Sequence, residues 1–553
     1  MIMLKERRFS VLLFCVTLCL FLCWSEAEVF AKQTDQAPGR TMAQQAIKKG
    51  QLWITADHSK HPILQQEFKS GPEVTKACLS CHSEAASQFH KTIHWSWLDP
   101  NVAKEKRIGK AGITINNFCI AIHGNEPRCT SCHAGYGWKD QSYDFSDQSK
   151  VDCLVCHEQT GTYKKFPAGA GNPVAKPTVF KGNGKTYLPP DWNKVAKSVG
   201  RPTRKNCGTC HFFGGGGDGV KHGDMDSSLM KPNKQLDVHM GADGQNFDCV
   251  RCHTTVVHQI AGRTYATPAA AHRKSLIEDD LTSKITCESC HSSTPHKPGV
   301  KANDHTDKVA CQSCHISEFA RVNPTKVWWD WSKAGEKKNG KPYKVKGPFG
   351  KPTYFTKKGE MRWAKNAKPE YFWYNGSIEA ITARDMIDPA TEVRINRPVG
   401  SQDDPNSRIA PFKVHRGKQP YDKINKTLLI PHLFGKKNTD AYWAKYDWKN
   451  ALASGMQKAG LPFSGEFDWV QTSYVFPTTH MVAPKDKSLG CKECHTSDGS
   501  RLVNLAGFYM PARDHSRVID ILGWLAVFGS LGGVVIHGLG RIFTNGNRGK
   551  KEE

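Results

Sequence analysis

The feature that most constrains this chain is a five-residue motif, Cys-x-x-Cys-His, which occurs eight times. The copies begin at Cys78, Cys129, Cys153, Cys207, Cys249, Cys287, Cys311 and Cys491. Two thiols one short turn apart form thioethers with the vinyl groups of one haem, and the following histidine lies beneath the iron as an axial ligand. Zinc ribbons would need paired Cys-x-x-Cys units without that histidine, and disulfides would not repeat one spacing. The pattern therefore predicts eight covalently attached c-type haems.

Each motif supplies two attachment cysteines and one proximal histidine. The predicted attachment residues are Cys78, Cys81, Cys129, Cys132, Cys153, Cys156, Cys207, Cys210, Cys249, Cys252, Cys287, Cys290, Cys311, Cys314, Cys491 and Cys494. The predicted proximal iron ligands are His82, His133, His157, His211, His253, His291, His315 and His495. Only 38% of the residues are hydrophobic, which suits a chain whose interior is filled largely by porphyrins. We expect a mainly α fold with much irregular structure, wrapped around eight haems, plus one C-terminal transmembrane helix.

The net charge of +25 would by itself favour a nucleic-acid partner. Eight haems bring about 16 propionate charges and about eight positive iron–porphyrin charges, which lowers the total to about +17 in the oxidised protein. Much of the lysine and arginine is then expected to pair with propionates, and the remaining basic surface favours anionic substrates. Because export also separates the protein from nucleic acid, we expect no nucleic-acid partner.

The first 31 residues have the pattern of a signal peptide. Lys5, Arg7 and Arg8 precede an apolar run over residues 11–24, and small residues offer cleavage after Ala27 or Ala31. This pattern predicts export.

The other end of the chain predicts a membrane anchor. Residues 521–539 form an uncharged apolar stretch that is long enough to cross a bilayer as a helix. Basic residues follow it, so the positive-inside rule places the tail in the cytoplasm. The expected location is the periplasmic face of the cytoplasmic membrane, with a single pass and a cytoplasmic C-terminus. His537 lies within this helix, where snorkelling to the interface is favoured over ligation of a b-type haem in a partner.

Between the two ends, motif spacing divides the chain. Seven motifs are followed by a gap of 175 residues before Cys491, and this gap contains eight of the 15 tryptophans. We expect short helices, loops and a few strands there, packed on the haem core. The predicted segments are a signal peptide at 1–31, a seven-haem region at 32–316, an aromatic-rich haem-covering region at 317–490, an eighth haem segment at 491–516, a transmembrane helix at 518–541 and a cytoplasmic tail at 542–553.

Most of the irons also need a distal ligand, which is usually a histidine. The preferred candidates lie shortly before or after a motif, within reach of a neighbouring iron, and number seven with one substitute. The preferred set is His94, His222, His239, His258, His296, His305 and His480, with His58 as the leading substitute. The remaining histidines are interpreted as propionate partners, surface residues or replacements: His61, His90, His272, His415, His432 and His515.

The chain resembles the octahaem tetrathionate reductase family of multihaem cytochromes c. The resemblance runs from about residue 50 to about residue 510 and depends on all eight motifs, their uneven spacing and several local strings. These strings lie at 92–95 (TIHW), 150–157 (KVDCLVCH), 222–224 (HGD) and 324–331 (PTKVWWDW). The resemblance implies that the haem of the second motif, attached at Cys129 and Cys132, is the catalytic one.

The resemblance also implies three catalytic residues. In that family a lysine just ahead of the third motif holds the sixth position on the catalytic iron, and an aspartate and a cysteine lie near it. The matching residues in this chain are Lys150, Asp147 and Cys119. A deprotonated amine is a more displaceable ligand than imidazole, and a thiolate can attack a sulfur–sulfur bond. Asp147 would relay protons or orient the amine. Coordination by His123 instead would close this haem, which would then only pass electrons.

Three functions remain open at this point. The resemblance implies a terminal reductase of tetrathionate, with nitrite and hydroxylamine as further substrates and with electrons from a membrane quinol-oxidising or b-type cytochrome partner. The alternative is a non-catalytic electron conduit in which every iron is six-coordinate. A hydroxylamine oxidase-like enzyme is disfavoured because no tyrosine can be assigned as the haem crosslink.

Overall fold

The computed structural model describes residues 37–48, 56–99, 102–264, 267–268 and 285–548. The predicted signal peptide, His272 and the last five residues of the predicted tail lie outside these ranges. The chain divides into two compact units, Met1–Asp486 and Lys487–Glu553. The first seven haem motifs belong to the first unit, and the eighth motif belongs to the second.

Helices in the first unit are short, and several carry haem motifs. They are Pro38–Lys48, Gly71–Leu79, Ala85–His90, Ile93–Ser96, Glu126–Cys129, Cys153–His157, Trp192–Lys197, Arg204–His211, Glu288–His291, Cys311–His315, Tyr442–Lys445 and Trp448–Ala459. One helical turn is enough to bring both cysteines of a motif to the same side. At the third motif Asp152 is the N-cap, and its carboxylate accepts the Val155 N–H at 3.0 Å.

An eight-stranded sheet occupies most of the segment between motifs seven and eight. Its strands in chain order are β1 (Thr325–Asp330), β2 (Lys344–Lys346), β3 (Pro352–Phe355), β4 (Gly359–Ala364), β5 (Glu370–Tyr374), β6 (Val393–Arg394), β7 (Arg408–Asp422) and β8 (Phe467–Pro477). The spatial order is β2-β3-β4-β1-β7-β8-β6, and β5 also pairs with β7. The β1–β7 and β6–β8 pairs are parallel, and the others are antiparallel.

Five two-stranded sheets lie outside this sheet in the described part of the chain. They pair Thr178–Phe180 with Lys185–Tyr187, Thr255–Val256 with Gln259–Ile260, Arg263–Thr264 with Thr267–Pro268, Lys337–Lys338 with Lys341–Pro342, and Ile378–Ala380 with Asn396–Pro398.

The expectation of a mainly α fold is too narrow for this segment. Strand β7 runs for 15 residues with nearly every side chain buried or half-buried, because both faces of the sheet are covered. A strand buried on both faces does not show the alternation of apolar and polar residues that identifies a strand in a sequence. Buried polar side chains on β7, among them Lys413 and His415, obscure the pattern further.

Aromatic side chains fill the core beside the sheet. Trp329 and Trp331 stack at 4.6 Å between ring centroids, and Trp448 meets Trp331 edge-on at 6.1 Å. The indole N–H of Trp331 donates to the Phe118 carbonyl at 3.0 Å. The tryptophan-rich segment thus forms a core that also fixes the stretch leading to Cys119.

The second unit contains one long helix, Arg517–Arg548. Its apolar span, Arg517–Thr544, is long enough to cross a bilayer, and its large apolar side chains are exposed. This helix covers the predicted transmembrane segment.

We predict that Trp331→Ala lowers the free energy of unfolding by about 3–5 kcal/mol, because it removes a fully buried indole and leaves a cavity. The midpoint of denaturant unfolding, followed by far-UV circular dichroism, measures the loss. Val345→Ala, at a side chain on β2 that is 45% exposed, is the matched control and should change stability by less than about 0.5 kcal/mol. Equal midpoints for the two variants would contradict the assignment of Trp331 to the core.

Candidate haem-binding and redox site

Five motif histidines each face a second imidazole. The ring centroids are 6.1 Å apart for His82 and His58, 6.1 Å for His211 and His94, 6.2 Å for His253 and His480, 6.0 Å for His291 and His239, and 6.3 Å for His315 and His296. Two metal–nitrogen bonds of about 2 Å, together with half of each ring, need a separation of about 6 Å. Each gap therefore fits one haem iron with two axial histidines.

Hydrogen bonds orient several motif histidines for this purpose. The Nδ1 atoms of four of them lie within hydrogen-bonding distance of backbone carbonyls: His157 to Gly200 at 2.9 Å, His253 to Ala261 at 2.7 Å, His291 to Gly39 at 3.2 Å and His495 to Pro511 at 3.2 Å. An Nδ1–H that donates to a carbonyl leaves Nε2 deprotonated and free to bind a metal. These rings fit the role of proximal ligand.

A carboxylate orients one of the facing imidazoles. Asp224 is buried, and its Oδ2 lies 3.1 Å from Nδ1 of His480. Burial acts to raise the pKa of Asp224, but the hydrogen bonds from His480 and from the Thr479 backbone, together with the charges of His480 and His222, outweigh it and hold that pKa at about 2. The ionised carboxylate therefore holds the His480 ring in one orientation, as carboxylates do for histidines that bind metals.

The other three predicted distal histidines have different surroundings. Nδ1 of His258 lies 3.0 Å from Oε1 of Gln88, in electrostatic range of His157. His222 is packed against Phe476, with 4.9 Å between ring centroids. His305 is exposed, and its Nδ1 lies 2.9 Å from the Lys301 carbonyl.

Contacts between attachment cysteines indicate which haem sites adjoin. Thiols lie in hydrogen-bonding contact between motifs one and three (Cys78 and Cys153), two and four (Cys132 and Cys210), four and five (Cys207 and Cys249), and six and seven (Cys287 and Cys311). Cys156 is close enough to Cys207 to affect its pKa, which links motif three to motif four. Cys290 affects the pKa of Cys252 in the same way, which links motif five to motif six. Six motifs thus follow one another as one-three-four-five-six-seven, and motif two branches from motif four.

The surroundings of the second motif differ from those of the five paired motifs. The His133 ring is 1% exposed, and it contacts Trp95, Trp97, Trp138 and Tyr143 at centroid distances of 5.2, 5.4, 4.8 and 5.7 Å. Its Nε2 lies 2.6 Å from the Trp95 carbonyl, and its Nδ1 has no hydrogen-bond partner within the described ranges. Burial lowers the pKa of His133 to about 3, so the ring is neutral. A half-turn of the ring about its χ2 bond would exchange each ring nitrogen with a ring carbon, Nε2 with Cε1 and Nδ1 with Cδ2, and would move Nε2 away from the Trp95 carbonyl.

A buried ion pair ties the second motif to the third. The Asp152 carboxylate, next to Cys153, lies 2.9 Å from the Lys165 ammonium and accepts hydrogen bonds from the hydroxyls of Tyr136 and Tyr163 at 2.8 Å each. Lys165 in turn donates to the backbone carbonyl of His133 at 2.5 Å. Because both charges are buried and satisfied, this network holds the two motifs in a fixed relation.

The predicted catalytic lysine lies at the edge of the His133 aromatic cluster. Nζ of Lys150 is 3.6 Å from Oδ2 of Asp147 and 5.1 Å from the centroid of the Tyr143 ring, which itself contacts His133. The Lys150 side chain is 30% exposed. The hydroxyl of Ser149 donates to Asp147 at 2.6 Å and is the main reason that the pKa of Asp147 is lowered. The structure therefore brings Lys150 and Asp147 together beside the second motif.

The predicted catalytic cysteine lies on the sheet side of the second motif. Cys119 is half-buried against the tryptophan core and lies in electrostatic range of the attachment residue Cys129. It also lies in range of two lysines that the sequence reasoning did not single out, Lys326 and Lys358. Lys326 is part of the 324–331 string, but no pattern in a sequence shows that an amine is buried.

The alternative ligand His123 lies against an arginine. Its Nε2 is 3.4 Å from a guanidinium nitrogen of Arg107, and burial, together with that positive charge, lowers its pKa to about 4. His90, which also lies close to this region, stacks on Trp95 at 4.4 Å between centroids. The structure therefore places Trp95 between the rings of His90 and His133.

Comparisons with known proteins agree with this geometry. Residues 77–158 match the family "Cytochrome c554 and c-prime", residues 232–322 match "Cytochrome c7 and related cytochrome c", and residues 326–498 match "Cytochrome c bacterial". An uncharacterized protein from Archaeoglobus fulgidus is 24% identical over 249 residues, which cover 38% of this chain and 82% of that protein.

The crystal structure of octaheme cytochrome c from Shewanella oneidensis is similar over most of its length. It is 43% identical and has a TM-score of 0.69, and the match covers 81% of this chain and 95% of that one. The paired imidazoles and the eight attachment motifs provide the c-type haem sites that such a relationship requires. This chain belongs to the octahaem family of c-type cytochromes.

Proposed function

We propose that this protein is a membrane-anchored periplasmic terminal reductase of tetrathionate, with nitrite and hydroxylamine as further substrates. The observation that carries the proposal is the aromatic enclosure of His133 in the second motif, with Lys150 and Asp147 at its edge. Among the residues that the structure describes, the rings around His133 belong to tryptophan, tyrosine and phenylalanine, and no second imidazole contacts it. Lys150 and Asp147 lie at the edge of these rings, which supports a haem with a displaceable ligand at this motif.

The adjacency of the attachment cysteines supports a route for the electrons. The proposed distal ligands are His58, His94, His239, His296 and His480. The ring centroid of each lies 6.0–6.3 Å from that of a motif histidine, which is the separation of two imidazoles that share one iron. Such six-coordinate haems transfer electrons without binding substrate. The second haem lies on a branch from the fourth, which suits the end of an electron chain.

The residues near the second motif provide the remaining chemistry. The haem supplies electrons and an iron coordination position. Asp147 orients the Lys150 amine, which must be deprotonated to bind a metal. The Cys119 thiolate attacks the central sulfur–sulfur bond of tetrathionate, forming a cysteinyl thiosulfonate and releasing one thiosulfate. Two electrons then cleave the new sulfur–sulfur bond, which releases the second thiosulfate and restores the thiolate, with no net proton consumed.

The C-terminal helix supports a membrane partner. We propose that it spans the cytoplasmic membrane once, with the tail in the cytoplasm, and that a quinol-oxidising or b-type cytochrome partner delivers electrons from the quinol pool. The apolar length of Arg517–Thr544 and the exposure of its side chains support this placement.

We predict that Lys150→His lowers turnover of tetrathionate, nitrite and hydroxylamine by at least about tenfold, because imidazole is a less displaceable ligand than an amine. Steady-state assays with a chemical electron donor measure turnover, and electron paramagnetic resonance of the oxidised protein should show an additional six-coordinate bis-histidine signal. Lys164→His, at an exposed lysine, is the matched control.

Unchanged turnover in Lys150→His would remove the assignment of the site. Resonance signals of the parent protein that nitrite and cyanide do not perturb would instead favour the non-catalytic conduit, in which every iron is closed.

We predict that Asp147→Asn separates proton delivery from electron delivery. Nitrite and hydroxylamine consume protons during reduction, so their turnover should fall at least about tenfold, whereas tetrathionate turnover should fall less. In the parent protein the hydrogen bond from Ser149 lowers the pKa of Asp147, so the carboxylate stays ionised to lower pH than an unpaired aspartate, and turnover that depends on it should persist correspondingly further into the acid range. Equal losses for all three substrates would show that Asp147 only positions the amine.

We predict that truncation after residue 516 releases a haem-loaded protein from membranes into the soluble fraction. Alkaline carbonate extraction followed by haem staining measures the distribution. A second truncation after residue 548 keeps the whole helix and should remain in the membrane fraction. Retention of the shorter protein in membranes would refute the anchor.

A further inference from the structure

Three donor side chains lie near the segment that carries Cys119 and form no ion pair with an acidic residue in the described part of the chain: Lys326, Lys358 and His415. Lys326 is 3% exposed and His415 is 0% exposed, whereas Lys358 is half-buried. Burial of a charge or a hydrogen-bond donor costs free energy unless an acceptor is present. Buried donors in folded proteins therefore usually have a partner.

Lys326 contacts only aromatic rings within the part of the chain that the structure describes. Its Nζ lies 3.3 Å from the Trp329 ring centroid and 5.3 Å from that of Trp363. Nζ of Lys358 lies 5.5 Å from the same Trp329 centroid and 5.9 Å from that of Trp443. The two amines therefore lie around one indole.

His415 also lacks hydrogen-bond acceptors or donors for its ring in the described chain. Both of its ring nitrogens lack a hydrogen-bond partner among the described residues, and its ring packs on Phe118 at 4.8 Å between centroids. Phe118 directly precedes Cys119, so the imidazole lies beside the thiol-bearing segment.

The nearby Lys413 shows what a satisfied buried amine looks like in this protein. Its Nζ donates to the carbonyls of Val220 and Lys221 at 2.9 and 3.0 Å and to the Thr325 hydroxyl at 2.5 Å. Lys326 directly follows Thr325 on strand β1, which pairs with the strand that carries Lys413. Its amine has no such acceptors among the described residues.

The electrostatic surroundings are positive throughout. Burial lowers the pKa of Lys326, the charges of Lys358 and Lys413 lower it further, and Cys119 is the one group that acts in the opposite direction. Burial likewise lowers the pKa of Lys358, on which Cys119, Arg128 and Lys344 act. The pKa of His415 is lowered by burial and by Lys413 and Lys326. No carboxylate is among these groups, so an anion would satisfy all three donors.

We propose that Lys326, Lys358 and His415 form an anion site beside Cys119 that binds the sulfonate oxygens of a polythionate. The proposal rests on the proposed function for its substrate, but the site itself is defined by the buried donors. Arg128, which precedes the attachment residue Cys129, acts on Lys358, so the site adjoins the second motif. Bound there, a substrate would present its sulfur–sulfur bond to the thiol.

A haem propionate also has anionic oxygens, those of a carboxylate, and would satisfy the same donors. The two sources differ in one respect: a propionate is present in the resting protein, whereas a substrate anion arrives from solution. If Lys326 pairs with a propionate, removal of its charge should shift a haem midpoint potential in the resting protein. If Lys326 binds only a substrate anion, the potential of the resting protein should not change.

The test uses the full-length haem-loaded protein with Lys326→Met and Lys326→Arg, because methionine fills the same volume without charge and arginine retains the charge. Thiosulfate is the probe, and its affinity is measured by isothermal titration calorimetry. We expect Lys326→Met to weaken thiosulfate binding and to raise the KM for tetrathionate by at least about tenfold, with Lys326→Arg restoring most of both. The KM for hydroxylamine, which is uncharged near neutral pH, should change by less than about twofold. Lys346→Met, at an exposed lysine of β2, is the matched control and should behave as the parent protein.

Two results would overturn the proposal. One is unchanged thiosulfate affinity in Lys326→Met. The other is a shifted haem midpoint potential in the resting variant with unchanged thiosulfate affinity, which would assign the amine to a propionate. If the parent protein binds thiosulfate through Lys326 but does not reduce tetrathionate, the anion site stands and the proposed function fails.

Discussion

Axial coordination by paired imidazoles is the constraint that the rest of the structure depends on. An iron between two histidines fixes their separation to within a few tenths of an ångström, and five pairs in the described chain meet that requirement. The histidines that complete these pairs come from distant parts of the sequence, such as His480 facing His253 and His94 facing His211. Each pair therefore joins segments that short helices and loops alone would not hold together. In this respect the cofactors take the place of a conventional apolar core.

The β-sheet has a different role from the haem region. It brings the tryptophan core, strand β7 and the stretch around Cys119 to the side of the second motif, while Lys150 and Asp147 lie by the Tyr143 side of the same motif. Two groups of reactive side chains thus approach one haem site from separate elements. The fold separates a cationic, thiol-bearing region from a region where an amine and a carboxylate lie together. That arrangement suits a substrate with charged ends and a reactive centre.

Local motifs made the haem attachment residues predictable, because each one carries its whole mechanism within five consecutive residues. Proximity to a motif limits the choice of distal histidines: four of the seven preferred residues and the substitute His58 face a motif histidine, whereas His222 and His258 show no such pairing among the described residues. The eight-stranded sheet was not predictable, because β7 is buried on both faces and carries buried polar residues. Lys326 was also missed, since an amine acquires its meaning only when the chain folds around it. Motifs six and seven, which a short linker separates, adjoin through Cys287 and Cys311, whereas the thiols of motifs two and three contact those of motifs four and one, so sequence distance alone does not give the order of the haem sites.

The hydrogen bond between His495 and the Pro511 carbonyl has a consequence for how electrons enter the protein. Pro511 lies six residues before the long helix begins at Arg517, and six residues reach at most about 20 Å when fully extended. A helix embedded in lipid would therefore keep the eighth motif within about 20 Å of the start of that helix, and so on the membrane side of the protein. The eighth haem would then be the docking port for a membrane donor, and the anchor would set the distance of the first electron transfer as well as the location of the protein.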